Sequence, residues 1–272
     1  MIKSIFFDLD RTLLNSDKRI PNSAVAALRR CKENGIKLFV ATARPPILDK
    51  MLCWGDEEFS LFDGGVYCNG GCIKFDNQMN YTYIPSDVVS YCVSAVEEYD
   101  NLNIALQMKN ERHAFNHFLD DFAYDIWGIE KADSIKITEA CHKQTVKILI
   151  YYENMVDITT ALPLNLIDDL QRYCNEKANF CLTDSGKIIQ ISSNQASKFN
   201  GVEKIRKHFG FSESEVAVFG DDMNDFEMLN GYGNSVAMGN ADARVKAVAG
   251  FVTKSNDADG ISYALKELFK VI

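Results

Sequence analysis

The chain has 272 residues, 47% of them hydrophobic, and its 38 acidic and 29 basic side chains give a net charge of −9. This length corresponds to about two domains of ordinary size. The acidic excess argues against a nucleic-acid partner, which is bound through basic patches. It does not exclude small anionic ligands, which need only a local positive potential.

The apolar runs and the cysteines predict a cytoplasmic protein. No apolar stretch approaches the roughly 20 residues that span a membrane, and the first apolar run ends at Asp8, too early for a secretory signal. The 8 cysteines are scattered and contain no Cys-x-x-Cys pair. We expect reduced thiols that fill the core, with little support for a zinc site. The oligomeric state cannot be predicted from these features.

Strand and helix patterns alternate over the first 80 residues. KSIFFDL (3–9) has a strand pattern, SAVAALRRCKENG (23–35) has a helical period, and IKLFVAT (36–42) is again a strand. The next helix is predicted to open at 44–46, Arg-Pro-Pro, and a third strand ends in the glycine turn VYCNGG (66–71). This alternation predicts crossover connections and a parallel sheet.

The same alternation returns near the end of the chain. A helix pattern over 197–210 precedes the strand EVAVFGDD (215–222), which runs into carboxylates. Two further strand patterns and a terminal helix over 261–269 follow. These elements therefore belong to the same sheet as the first 80 residues.

The middle of the chain has a different pattern. Its predicted helices and strands lie at 86–99, 103–108, 145–152, 161–176 and 187–192. We interpret residues 84–190 as a second α/β domain inserted into a discontinuous core made of 1–83 and 191–272. The predicted fold class is therefore α/β, with a Rossmann-like, doubly wound parallel-sheet core and an inserted α/β domain.

Acidic side chains follow two of the predicted core strands. Asp8 and Asp10 come directly after the first strand, and the segment GDDMND (220–225) follows a late strand. In an open parallel sheet, ligands bind beyond the carboxyl ends of the strands. We therefore expect these carboxylates to lie close together, with Thr42 beside them at the end of the second strand.

Converging carboxylates require a cation. Two like charges about 4 Å apart repel by about 4 kcal/mol at an effective dielectric near 20. A hard divalent ion removes this repulsion, and a ligand set made only of oxygen atoms favours Mg²⁺. A calcium loop starting at Asp8 does not fit the spacing, because its sixth position is Leu13 rather than glycine and its twelfth is Arg19 rather than glutamate.

An ionised aspartate beside Mg²⁺ suits phosphoryl transfer, because the carboxylate can attack phosphorus and form an aspartyl-phosphate. The hydroxyl of Thr42 and the N–H groups of Ala43 and Arg44, expected at a helix N-terminus, can hold phosphate oxygens. Lys198, in the first turn of another helix, adds a positive charge. Together with Mg²⁺ it favours the ionised form of Asp8.

Four segments resemble the motifs of a known family. DLDRT (8–12), ATAR (41–44), SK (197–198) and GDDMND (220–225) resemble, in this order, the four motifs of the haloacid dehalogenase (HAD) superfamily of phosphatases. The long insert after the second motif is most similar to the Cof-type members, which carry a large α/β cap there. The resemblance covers essentially the whole chain, and it implies that the inserted domain is a substrate-selecting cap.

The resemblance also implies a role for each matching residue. Asp8 is expected to be the nucleophile and a Mg²⁺ ligand, and Asp10 the general acid and base whose carbonyl also binds the metal. Asp221 is expected to be the other direct ligand, supported by Asp225. The residues expected to hold the phosphate are Leu9, Thr42, Ala43, Lys198 and Asn224. Two further candidates for substrate contacts are Arg44 and Asn69.

Three positions differ from the family pattern, in which they are usually glycine. They are Arg11, Ala43 and Phe199. No catalytic group is lost, but glycine reaches backbone conformations with positive φ that other residues reach only at a cost. The Arg11 side chain is expected either to lie in solvent or to reach the substrate.

The leading hypothesis is a Mg²⁺-dependent phosphatase that acts on small phosphorylated metabolites, with the natural substrate left open. Two alternatives also remain open: a phosphotransferase or mutase that passes the phosphoryl group to a sugar, and a phospho-ligand sensor without turnover. The cap is expected to close over the core and to select the substrate. Within it, Arg112, His113 and His117 are candidates for substrate contacts, but ordinary surface positions are the favoured expectation for all three.

Overall fold

The computed structural model describes residues 1–272 except 118, 120–123, 125–127, 153–159 and 184. The chain forms two compact units. The first unit contains residues 1–44, 52–80 and 197–272, and the second contains 45–51 and 81–196. The first unit is therefore built from both ends of the chain, and the second mainly from its middle.

The described strands, in chain order, are β1 Ser4–Phe7, β2 Lys37–Ala41, β3 Gly64–Tyr67, β4 Cys72–Phe75, β5 Gln78–Tyr81, β6 Leu102–Met108, β7 His113–Phe115, β8 Ser134–Lys136, β9 Thr145–Tyr152, β10 Ala178–Thr183, β11 Ile188–Ser193, β12 Val216–Gly220, β13 Asn234–Ala237 and β14 Phe251–Val252. The described α-helices are Asn22–Glu33, Leu48–Met51, Asp56–Ser60, Ser86–Val96, Glu139–His142, Leu164–Cys174, Lys198–Phe209, Phe226–Gly231, Ala243–Val248 and Gly260–Tyr263. None of these helices has the length and apolar character that crossing a membrane requires.

The first unit is built around an eight-stranded sheet in the order β14-β13-β12-β1-β2-β3-β4-β5. The strands from β14 to β3 pair in parallel, and all four residues of the central strand β1 are buried. This confirms the predicted α/β class and the parallel core sheet. β4 is antiparallel to β3, because the short turn 68–71 between them cannot make the crossover of a dozen or more residues that a parallel strand needs.

Two predicted helices of the first unit are confirmed to within a residue or two. The helix Asn22–Glu33 buries Leu28 and Cys31 against the core. The helix Lys198–Phe209 begins where the Ser197 hydroxyl accepts a hydrogen bond from the Asn200 N–H (3.1 Å). It ends at Gly210, whose φ of 69° is the left-handed conformation that favours glycine at this position.

The prediction that a helix opens at residues 44–46 is wrong. The chain is irregular there, and the helix runs only over Leu48–Met51. Arg44 and Pro45 each precede a proline, and a proline disfavours the helical conformation of the residue before it. The sequence signal that was interpreted as a helix start therefore delays the helix.

The second unit contains a six-stranded sheet in the order β10-β11-β9-β6-β7-β8. Its pairs are antiparallel except β7 with β8. The helices Ser86–Val96 and Leu164–Cys174 contribute to one apolar core with alternate residues of β6, β9 and β11, such as Ile104, Ile148 and Ile191. The predicted elements of the middle region are confirmed, but the strands β7, β8 and β10 and the short helix Glu139–His142 were missed.

The three side chains of the second unit that were expected at the surface differ in their exposure. Arg112 and His117 are exposed as expected, whereas His113 is only 1% exposed, so that prediction was wrong. His113 lies in β7, where strand pairing buries it, and its Nδ1 lies 3.1 Å from the Glu111 carbonyl. Burial lowers the pKa of His113 to about 4.

Candidate active site

Asp8 lies directly after β1 and is buried. Its N–H donates a hydrogen bond to the carbonyl of Phe219 in the neighbouring strand β12 (3.0 Å). Asp8 and Asp10 both have extended backbone conformations, with ψ of 156° and 125°, before the chain turns at Arg11. Leu9 between them lies in a short helical turn, so the alternation of an extended segment does not apply, and the Asp10 carboxylate is directed to Arg44 and Lys18.

Lys198 brings two carboxylates from distant segments together. Its Nζ lies 2.5 Å from Oδ1 of Asp8 and 2.7 Å from Oδ1 of Asp225, and its side chain is 0% exposed. Buried lysines are rare unless paired, and here the two carboxylates raise the pKa of Lys198 against the opposing effect of burial. The ammonium is therefore held charged inside the site.

Asp225 also shapes the loop that follows β12. Its Oδ2 accepts hydrogen bonds from the backbone N–H groups of Asp221 (3.0 Å) and Asp222 (3.2 Å). The side chain lies close to Gly220, where an added Cβ would be 2.4 Å from Cγ of Asp225. The close approach of the carboxylate to this loop thus requires glycine at position 220.

Gly220→Ala is expected to destabilise the fold by about 2 kcal/mol, the usual size of an overpacking effect, and to lower turnover by displacing Asp225 from Lys198. Gly233→Ala is the matched control, because an added Cβ there has no atom within 4 Å. Chemical denaturation measures the stability of both variants, and a steady-state assay measures their turnover. Equal stability and activity of the two variants would contradict the assigned packing.

Asp221 follows β12 and is 3% exposed. Its Oδ1 accepts a hydrogen bond from the hydroxyl of the fully buried Thr12 (3.0 Å). Its Oδ2 is buried without a hydrogen-bond partner among the described residues. The sequence prediction gave Thr12 no role.

The acidic cluster fits a divalent cation. Asp8, Asp221 and Asp225 are buried, and each offers a carboxylate oxygen within 4.8 Å of the others. Burial raises the pKa of Asp8 well above its usual range despite Lys198, and burial with the neighbouring Asp225 raises the pKa of Asp221 to about 6. The single positive charge of Lys198 therefore does not compensate the negative charges of the three carboxylates. The unpartnered Oδ2 of Asp221 is an oxygen ligand of the kind that Mg²⁺ prefers.

Asp10 is held by two cations rather than by the acidic cluster. Nε and an Nη of Arg44 donate to its two carboxylate oxygens at 2.7 and 2.8 Å, and Lys18 Nζ donates to Oδ1 at 2.8 Å. Burial alone would raise the pKa of Asp10, but the hydrogen bonds from Arg44 and Lys18 lower it to about 2. The sequence prediction missed Lys18, which no motif marks.

Thr42 lies at the carboxyl end of β2 and is 1% exposed. Its Oγ1 accepts a hydrogen bond from the Arg44 N–H (3.1 Å). The prediction that the Arg44 N–H faces outward at a helix N-terminus is therefore wrong, because the side chain two residues earlier binds it and the helix begins only at Leu48. A phosphate role for Ala43 remains a prediction.

The remaining predicted residues lie on the same unit. Asn224 donates from Nδ2 to Oδ1 of Asn69 (3.2 Å), so the structure brings these two candidates together. Asn69 is in the left-handed conformation (φ 52°) in the turn after β3. The side chain of Leu9 is fully buried, so a phosphate role for Leu9 falls to its backbone.

Of the three positions where the family usually has glycine, only Arg11 has a positive φ (61°); Ala43 and Phe199 do not. A left-handed conformation costs a residue with a side chain about 1 kcal/mol. The Arg11 guanidinium lies against Asp221 and the Asn240 carbonyl. The side chain of Arg11 is exposed, in agreement with one of the two placements expected from the sequence. Its contact with Asp221 was not expected.

The aspartate-centred site lies at the carboxyl edge of a parallel sheet, where open α/β folds bind their ligands. Residues 5–265 match the model of the haloacid dehalogenase-like hydrolase family, and the chain belongs to this family. These matches confirm the resemblance that was inferred from the four motifs. They also confirm the enzyme class that was inferred with it, a phosphatase of this family.

The chain is similar to curated and solved relatives over almost its full length. YkrA of Bacillus subtilis is 29% identical, with 98% of this chain and 97% of the relative covered. The 5-amino-6-(5-phospho-D-ribitylamino)uracil phosphatase YitU of the same organism is 26% identical, with 98% and 97% covered. The HAD subclass IIB sugar phosphatase BT4131 is 25% identical, with a TM-score of 0.76 and 99% and 100% covered.

Proposed function

We propose that this protein is a Mg²⁺-dependent phosphatase that hydrolyses small phosphorylated metabolites through an aspartyl-phosphate on Asp8. The observation that carries the proposal is the buried ion-pair network in which Lys198 joins Asp8 to Asp225 at 2.5 and 2.7 Å. A buried lysine and a buried carboxylate cluster are costly to keep for structure alone. Their position at the carboxyl ends of β1 and β12 is where an open parallel sheet binds ligands.

In the first step, a carboxylate oxygen of Asp8 attacks phosphorus, and the bond from phosphorus to the leaving oxygen breaks. Asp10, which Arg44 and Lys18 hold ionised in this structure, first has to take up a proton; it then donates this proton to the leaving oxygen, so a neutral alcohol leaves. In the second step, Asp10 takes a proton from water, the resulting hydroxide attacks phosphorus, and the bond to Asp8 breaks. Phosphate leaves, and both carboxylates return to their initial state.

The surrounding residues support these steps. Lys198 neutralises Asp8 and offers positive charge to the phosphoryl oxygens, and the hydroxyl of Thr42 is the proposed phosphate donor beside it. Arg44 and Lys18 orient Asp10, and they have to release one of its oxygens when it takes up the proton. Asn224, with the backbone of Leu9 and Ala43, completes the proposed phosphate site.

The proposed ligands of Mg²⁺ are the carboxylates of Asp8 and Asp221 and the carbonyl of Asp10, with Asp225 holding the loop that carries Asp221. When bound, the ion supplies positive charge that compensates the cluster and the phosphoryl oxygens. The unpartnered Oδ2 of Asp221 and the raised pKa of Asp8 support this assignment.

We propose that the second unit is the cap that selects the substrate, and that Arg44 and Asn69 contact the substrate from the first unit. YitU and BT4131 are named for a phosphorylated ribityl compound and for sugar phosphates. These names support a phosphorylated sugar or a related phosphomonoester as the substrate class here.

Removal of Mg²⁺ is expected to abolish hydrolysis. The assay uses a panel of sugar phosphates, nucleotides and cofactor phosphates. Compounds that are hydrolysed in the presence of Mg²⁺ should not be hydrolysed in EDTA, and hydrolysis should return when Mg²⁺ is restored. Asp221→Asn should raise the Mg²⁺ concentration for half-maximal activity by roughly tenfold or more. Asp76→Asn, at an exposed carboxylate paired with His208, is the control and should leave it unchanged. Full activity in EDTA would overturn the proposed metal site.

A further inference from the structure

Arg11 is held tightly at its backbone and only weakly at the end of its side chain. Its carbonyl accepts a hydrogen bond from Nδ2 of Asn240 (2.8 Å), and one Nη donates a longer bond to the Asn240 carbonyl (3.3 Å). The side chain is 64% exposed. The guanidinium can therefore leave its present position without disturbing buried packing.

The charged end of Arg11 points to one particular atom of the acidic cluster. Its Nε lies 3.5 Å from Oδ2 of Asp221, an ion pair without a direct hydrogen bond. Thr12 binds the other oxygen, Oδ1. Arg11 thus faces the one carboxylate oxygen of Asp221 that is available to a metal ion.

The charges of the cluster are unequally compensated. Asp8 and Asp225 share the buried ammonium of Lys198. Among the residues that the structure describes, the ion pairs of Asp221 involve a single cation, which is Arg11. The charge that balances Asp221 therefore comes from a solvent-exposed side chain.

We infer that Arg11 is a displaceable counter-ion of Asp221, which stabilises the metal-free site and competes with Mg²⁺ for Oδ2 of that carboxylate. The inference rests on the proposed Mg²⁺ site: the guanidinium of Arg11, whose Nε lies 3.5 Å from Oδ2, repels a divalent ion that approaches the same oxygen atom. Arg11 has to swing away, or its positive charge opposes the arriving cation. Arginine in place of the usual glycine thus weakens metal binding and makes it dependent on ionic strength.

Calorimetric titration of Mg²⁺ into the substrate-free protein tests this inference without measuring activity. Arg11→Gln removes the charge but keeps a side chain in the same backbone conformation, and it should bind Mg²⁺ roughly fivefold more tightly than the wild type. Arg11→Lys keeps the charge and should stay close to the wild type. Lys266→Gln, at an exposed lysine paired with Glu267, controls for net charge and should have little effect.

Salt provides a second readout. At about 1 M KCl, where the Debye length is about 3 Å, the difference between Arg11→Gln and the wild type should largely disappear. Arg11→Gln that binds Mg²⁺ no more tightly than the wild type would overturn the role of Arg11 while leaving the Mg²⁺ site intact. No Mg²⁺ binding by either protein would overturn both the inference and the proposed metal site.

Discussion

Asp8→Asn is expected to lower turnover by roughly 10⁴-fold or more, the size of effect found when a catalytic nucleophile is removed. The amide has nearly the shape of the carboxylate, but it is a poor nucleophile and carries no charge for Lys198 to pair with. Folding should be preserved, because the substitution also relieves repulsion between Asp8 and the neighbouring Asp221 and Asp225. Steady-state hydrolysis of a chromogenic phosphomonoester in saturating Mg²⁺ measures the effect.

The control for this variant is Asp17→Asn. Asp17 is an exposed aspartate in the loop that follows the same strand, and its substitution should leave turnover within about twofold of the wild type, as expected for a surface position. Intact mass should verify that position 8 is asparagine. Comparable turnover of Asp8→Asn and the wild type would exclude Asp8 as the nucleophile.

Lys198→Met is expected to destabilise the metal-free protein by about 3–5 kcal/mol, the usual cost of breaking a buried ion pair. The methionine fills most of the same volume, so the effect comes from charge rather than from a cavity. Without Lys198, the buried carboxylates of Asp8 and Asp225 have lost their shared cation. Urea denaturation in EDTA measures the free energy of unfolding.

Lys207→Met is the matched control for this prediction. It makes the same change on the same helix, at a side chain that is 69% exposed and paired with Glu203, and should alter stability by no more than about 0.5 kcal/mol. Adding Asp8→Asn to Lys198→Met should recover part of the lost stability, because it removes one uncompensated charge. Equal stability of Lys198→Met and Lys207→Met would contradict the buried network.

The convergence of Asp8 and Asp221 was predictable because it depends only on strand order and direction. Each residue follows a continuous apolar run, and the ends of β1 and β12 meet because these strands pair in parallel register, Phe7 with Phe219. The predicted helix Lys198–Phe209 likewise has a clear start and a glycine stop. The apolar runs and the limits of the helix are local features, so they can be recognised in short stretches of the sequence.

Contacts that depend on the path of the loops could not be predicted. Arg11 meets Asn240 across 229 positions, and Lys18 reaches Asp10 only because the turn after it folds back. The helix expected at residues 44–46 was wrong because two prolines act against a helix in the residues before them. The three-residue strands β7 and β8 are too short for their alternation to be recognised.

Exchange of oxygen between inorganic phosphate and water tests the aspartyl-phosphate most directly and does not require the natural substrate. The wild type with Mg²⁺ should replace the heavy oxygen of ¹⁸O-labelled phosphate with oxygen from water. Asp8 attacks the labelled phosphate, one phosphate oxygen leaves as water, and solvent water then hydrolyses the resulting aspartyl-phosphate. Mass spectrometry of the phosphate follows this loss, which Asp8→Asn should not catalyse. Phosphomonoester hydrolysis by the wild type without any exchange, or equal exchange by Asp8→Asn, would contradict a covalent intermediate on Asp8.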